Sequence, residues 1–196
     1  MRSAALERVV RSANTGRAEA GERCDLCAEP VPGDHRHLLD TAVREPRCCC
    51  RACSILFSRE AASDGHYRLL PTRRTRLPDV PAGALGVPVG LAYVVVGDDG
   101  GVLAHYPSPV GATRWDVDPA AWRSVLDRVP ALRELAPETE ALLVNTARGA
   151  REHWLVPLDD CFRLVAVVRR EWRGLSGGGT VWREIERFFT ELTERR

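Results

Sequence analysis

Lysine is absent from this chain: its 28 basic residues are all arginine and its acidic residues number 27, for a net charge of +1. With the signs so closely balanced there is no strong field to draw the protein towards nucleic acid or an anionic membrane surface. Isoleucine occurs only at Ile55 and Ile185, a bias that reads as GC-rich coding and carries no functional content. No run approaches the ~18 consecutive apolar residues of a membrane span. No apolar leader-type segment precedes the first cysteines, and seven is an odd number of thiols, so a secreted disulfide framework is not expected. The chain is expected to be soluble and cytoplasmic. A P-loop is missing too: Ser176-Gly-Gly-Gly179 lacks the following Gly-Lys-Ser/Thr and reads as a helix–helix linker. No nucleophile triad or carboxylate pair assembles, so no catalytic residue is named.

What is present is a concentration of sulfur. Six of the seven cysteines lie between residues 23 and 57, with two of the five histidines. Cys24-x-x-Cys27 is followed, after 22 intervening residues, by Cys50-x-x-Cys53. Each CxxC bend offers two soft sulfurs from one tight turn, and two bends complete a tetrahedral four-thiolate shell. The predicted ligands are therefore Cys24, Cys27, Cys50 and Cys53, with zinc as the ion and iron or an iron–sulfur cluster as the alternative. A turn-rich knuckle over 23–30, a loop or hairpin, and a helix over 52–62 opened by the second CxxC give the order of a treble-clef or zinc-ribbon-like module. Ile55, Leu56 and Phe57 are its expected apolar face. A dithiol redox motif fits less well, because such a CxxC occurs once and follows a strand of a larger α/β unit.

Three further side chains are candidates beside these four. Cys48 precedes Cys50 by two residues and is a spare or substitute ligand. His35 and His37 alternate along an extended segment, so both imidazoles can face one ion. The plainer reading leaves the histidines in a hairpin's hydrogen bonds, since four cysteines already saturate a closed site. Cys48 or Cys49 can equally be a small apolar residue buried beside it.

The chain is 44% hydrophobic and 28% charged, a globular composition long enough for one ordinary domain and a small metal module. The expected division is an N-terminal arm over 1–21, the metal module over 22–66, a Pro/Arg-rich connector over 67–88 and an α+β domain over 89–196. Arginines 68, 73, 74 and 76 of the connector read as a solvated linker. In the last domain, strands are predicted at 89–96, 102–106, 140–146 and 152–156, with 107–113 as a loop. Asp118-Pro119 caps a helix to residue 128. A helix from 157 or 158 turns Cys161, Leu164, Val165 and Val168 inward, and the last, 180–194, does so with Val181, Ile185, Phe188, Phe189 and Leu192. The sum is a mainly antiparallel four-stranded sheet packed with about three helices. His153 with Cys161 can be posed as a base and nucleophile, but Cys161 on an apolar helix face reads as a buried structural thiol. Asp159 and Asp160 suit a helix's first turn, and His105 with Arg114 flank the 107–113 loop.

The phrases CDLCAEPVPGDHRHLLD, CCCRAC, PVGLAY, YPSPVGATRW, EALLVN, GAREHWLVPLDDC and WRGLSGG resemble an uncharacterised, actinobacterial-type family of cysteine-rich proteins often encoded beside uptake nickel–iron hydrogenase genes. The resemblance implies cysteine positions at Cys24, Cys27, Cys48, Cys50 and Cys53, with Cys49 standing for a small residue. It also implies a protein partner, a hydrogenase subunit or a maturation factor. Three function classes follow: a zinc-stabilised accessory or assembly protein, an iron or iron–sulfur electron carrier, and a zinc-containing nucleic-acid-binding regulator. Balanced charge weighs against the third.

Overall fold

The computed structural model describes residues 21–59, 64–86, 89–174 and 177–195. The arm expected over 1–21 therefore lies outside the described residues except at Gly21, as do residues 60–62 of the expected helix and Ser176 of the Gly-rich turn. The chain divides into two compact units, Met1–Leu69 and Leu70–Arg196. The stretch 67–88, expected as a connector, contributes one strand to each of them.

In the first unit a bridge between Arg23 and Pro30 closes the knuckle. Inside it Cys24 N donates to Glu29 O at 2.8 Å and Ala28 N donates to Cys24 O at 2.9 Å. Ala28 takes the left-handed conformation, φ 61°, that so tight a turn demands. Next come β1 (Arg36–Asp40), β2 (Glu45–Cys49), α1 (Arg51–Leu56) and β3 (Tyr67–Leu69). The sheet order is β2-β1-β3, antiparallel throughout. Asp40 shapes the β1–β2 turn by accepting from the backbone N–H groups of Ala42 and Val43.

Helix α1 differs from expectation. Its apolar pair is not packed inward: Ile55 is 65% and Leu56 62% exposed, and Ser54 is its buried residue. Cys50 caps it and Cys53 lies in its first turn, so the thiols set the rotation of this short helix and leave the pair at the surface.

The second unit holds β4 (Thr75–Arg76), β5 (Leu91–Val96), β6 (Val102–Ser108), β7 (Gly111–Asp116), α2 (Pro119–Arg128), β8 (Glu140–Asn145), β9 (Glu152–Pro157), α3 (Leu158–Glu171) and α4 (Gly178–Glu194). Its sheet has six strands rather than the four expected, in the antiparallel order β4-β9-β8-β5-β6-β7. The four expected strands form the centre and β4 and β7 the two edges. The supposed loop 107–113 is a hairpin, with Ser108 opposite Gly111 and Gly111 at φ 128°. Pro107 is tolerated in β6 because β5 pairs only as far as His105, so no second neighbour needs the missing N–H.

One sheet face carries Val94, Ala104, Leu142, Val144 and Leu155, packed with Trp122, Val125 and Val129 from α2 and its end. Asp118 caps that helix by accepting from Ala121 N at 3.1 Å, with Pro119 at its first position. Helix α3 packs against β6 to β9 and α4 packs against α3. Both bury the stripes that their 3.6-residue period predicts.

Three of the arginines read as solvated are ion-paired instead, the most exposed of them Arg76 with Glu152 at 3.1 Å. Arg73 grips the 1% exposed Glu140 through Nη2–Oε2 at 2.7 Å and Nε–Oε1 at 3.1 Å. Arg74 Nε donates to Oδ2 of Asp160 at 2.6 Å. Asp160 is thus a buried partner of Arg74 more than an exposed complement to a helix dipole; burial pushes its pKa up and Arg74 opposes the rise. Among the described residues no helix is long and apolar enough to cross a membrane.

Candidate metal centre

Two short backbone devices bring four sulfurs together. The knuckle presents Cys24 and Cys27 on one bend, and the end of β2 passes directly into α1, which presents Cys50 and Cys53. Asp25 holds the two in register: its N–H donates to Cys48 O at 2.9 Å and its Oδ2 accepts from Cys48 N at 2.6 Å. The sulfurs of Cys24, Cys27, Cys50 and Cys53 all lie within 4.8 Å of one another. Cys27 and Cys50 are 3.6 Å apart, well beyond the ~2.05 Å of a disulfide. A tetrahedral ion with metal–sulfur bonds of about 2.3 Å sets its sulfurs roughly 3.8 Å apart, so the cluster fits one metal ion. Cys24 and Cys50 are buried, Cys53 is half-buried and Cys27 is exposed.

Electrostatics point the same way. Burial alone would raise the Cys24 pKa, but the backbone N–H groups of Cys50, Leu26 and Cys27 aim at its sulfur and bring it down to about 6. Once that thiolate exists, its neighbours ionise reluctantly. Cys53 is pushed up by burial and by its hydrogen bonds to Cys27, Cys50 and Cys24. Cys27 is raised as well: the N–H of Glu29 favours its thiolate, but the Cys50 and Cys24 sulfurs outweigh it. The Cys24 thiolate is thus favoured, while Cys27 and Cys53 hold their protons more tightly, and a bound cation would release them.

The other candidates fall elsewhere. His37 stands directly opposite Cys48 across β1–β2, and the His35 and His37 rings lie 4.6 Å apart. One nitrogen from each ring and the Cys48 sulfur are within 4.8 Å of one another, as a group separate from the four sulfurs. Burial, Asp25 and Glu22 together raise the Cys48 pKa. Cys49 belongs to neither group. It is 1% exposed, its thiol donates to Cys50 O at 3.4 Å, and burial with Cys24 and Cys50 nearby pushes its pKa up to about 12. All seven cysteines are free thiols.

In the second unit no base–nucleophile pair forms from His153 and Cys161. His153 lies opposite Val144 on the α2 face of the sheet, whereas Cys161 is fully buried on α3, which contributes nothing to that cluster. His105 stacks on Tyr93 at 4.8 Å and stands opposite Arg114 across the β6–β7 hairpin. Reading the sequence missed the part played by Asp25. An acidic residue inside a CxxC bend is its only local sign, and only the fold shows which N–H it meets.

No curated protein and no solved structure matches the chain. Residues 23–196 match a described protein family, a span that takes in the knuckle, both sheets and helices α1 to α4. The chain belongs to the family of unknown function DUF5947.

Proposed function

We propose that this protein is a metal-stabilised accessory or assembly protein acting through protein–protein contacts, with zinc bound by Cys24, Cys27, Cys50 and Cys53. The observation that carries this reading is the set of four sulfurs within 4.8 Å. The knuckle–hairpin–helix order around them is that of a treble-clef module, in which the ion's binding energy is folding energy. A multi-iron cluster suits the spacing less well, because it spreads its thiolates over several irons and therefore farther apart. The exposed Ile55–Leu56 pair on α1 supports a protein partner close to the site, since apolar side chains turned out beside a rigid metal knot offer a small preformed contact. The hydrogenase gene neighbourhood of the proteins it resembles makes a hydrogenase subunit or maturation factor the first partner to try.

A single iron in the same four-sulfur geometry is the second reading, and the exposure of Cys27 favours it by giving electrons a short path to the surface. Elemental analysis with a visible spectrum, on protein purified without oxygen, separates the two. One colourless zinc per chain supports the accessory reading. Iron with thiolate charge-transfer bands replaces it with electron transfer. Full metal stoichiometry in both Cys24→Ser and Cys53→Ser sinks the ligand assignment.

A further inference from the structure

Beside the four-sulfur set, three strong donors gather at the β1–β2 hairpin. His37 and Cys48 are a directly opposed cross-strand pair, so their side chains leave the sheet together. His35 sits two residues before His37, its ring 4.6 Å from the His37 ring. The donor atoms of all three lie within 4.8 Å of one another.

His35 is the informative member. Its side chain is 5% exposed. Nδ1 lies 2.8 Å from Pro32 O, a contact that a carbonyl can only accept, so Nδ1 carries the proton and Nε2 bears the free lone pair. That Nε2 is buried and has no hydrogen-bond partner, an arrangement that costs about 1–3 kcal/mol where nothing compensates. An imidazole oriented by a carbonyl on one nitrogen and bare on the other is how a metal-ligating histidine is usually held. Glu22, 3.6 Å from Nδ1, adds negative charge behind the ring.

We propose that His35, His37 and Cys48 form a second metal site, distinct from the four-sulfur centre and open at its fourth position. Two imidazoles and one thiolate suit a borderline divalent transition ion of the zinc or cobalt(II) type. Such an ion draws its donors to about 3.3–3.6 Å of one another, from bonds of about 2.0–2.3 Å, which closes a cluster already within 4.8 Å. The site cannot share the first ion, whose tetrahedral shell the four sulfurs fill. Three protein donors leave one position for water or for a donor group of a partner, so this ion is exchangeable and reactive where the other is closed. Binding releases the Cys48 proton and leaves the thiolate on the metal.

Cobalt(II) titration of the full-length apoprotein without oxygen tests this. The first equivalent is expected to give intense thiolate charge-transfer bands from the four-sulfur centre. The second is expected to add weaker d–d bands from a mixed nitrogen–sulfur site. The His35→Gln/His37→Gln double variant is expected to keep the first phase and lose the second, with at least a tenfold fall in affinity for the second ion. Saturation of the native chain at one equivalent overturns the proposal, as does an unchanged second phase in the double variant. If the double change also abolishes the first phase, Cys48→Ala carries the test, because Cys48 is outside the four-sulfur set. Loss of its second phase alone supports the site, and retention overturns it. A missing first phase with the second intact overturns the four-cysteine reading instead.

Discussion

The two units are held together by different forces. In Leu70–Arg196 the central strand β8 is buried to the last residue, with Leu142 and Leu143 at 0% exposure. The α2 cluster then runs on one face from Leu77 to Leu155. In the first unit the cluster around the thiols is Cys24, Val31 and Cys50, with Leu26 and Cys53 packed against it. Among the described residues the unit also buries Leu38 and Leu39, yet the cluster at the thiols is small and supplies little stability unaided, whereas a structural zinc contributes about 10–16 kcal/mol in zinc-finger peptides. Much of one unit's stability is therefore expected to come from a ligand and the other's from buried surface. They should fail under different treatments.

The largest expected effect comes from removing the proposed ion. A chelator, or Cys24→Ser, should expose the backbone amides of residues 21–69 to rapid hydrogen exchange and leave those of β5, β8 and β9 protected. Protection lost in both units, or in neither, breaks the contrast. The converse change is Trp154→Ala. Trp154 is 0% exposed, and its removal should destabilise the second unit by about 3–5 kcal/mol. A urea titration read from exchange in β8 measures the loss, and metal content should stay as in the native chain.

A third change sharpens the point by charge rather than volume. Arg73→Ala strands the carboxylate of Glu140, whose remaining hydrogen bond comes from Ala136 N at 2.9 Å. The expected cost is about 3 kcal/mol, at the low end for a buried pair because Arg73 is itself 40% exposed. The same urea titration reads it, and Glu140→Gln in the Arg73→Ala background should recover part of the loss.

The smallest effect is a pH dependence. Burial lowers the pKa of His153 below 6.5, against the opposing charge of Asp79. The unfolded chain then binds the proton first, so this contribution is present in full above pH 6.5 and is lost as pH falls towards the folded value. Stability of the second unit should decline between pH 7 and 5, and His153→Gln should flatten that slope. An unchanged slope in the variant rules His153 out as its source.

Particular elements show how far the chain could be read unaided. The stripes of α3 and α4 were legible because a long amphipathic helix repeats its signal several times. β7 was not: it is exposed nearly throughout, with burial only partial at Gly111, so no alternation marks it and its pairing with β6 alone makes it a strand. β4 is two residues long among prolines and arginines. Arg73 and Arg74 looked solvated because nothing local shows that buried carboxylates wait 67 and 86 residues away.

The metal centre divides in the same way. CxxC spacing alone put two sulfurs on each bend, since a tight turn is local geometry. It also set the chemistry of the candidate site, four soft donors that could hold one ion, and the helix stripes were written in their own period. The tertiary structure decided what depends on register and rotation. It joined the two bends through Asp25 and Cys48, turned Ile55 and Leu56 outwards, and set Cys48 opposite His37 instead of in the four-sulfur shell. A shift of one residue in the β1–β2 pairing would send that cysteine to the other face, and no local sequence preference specifies the pairing.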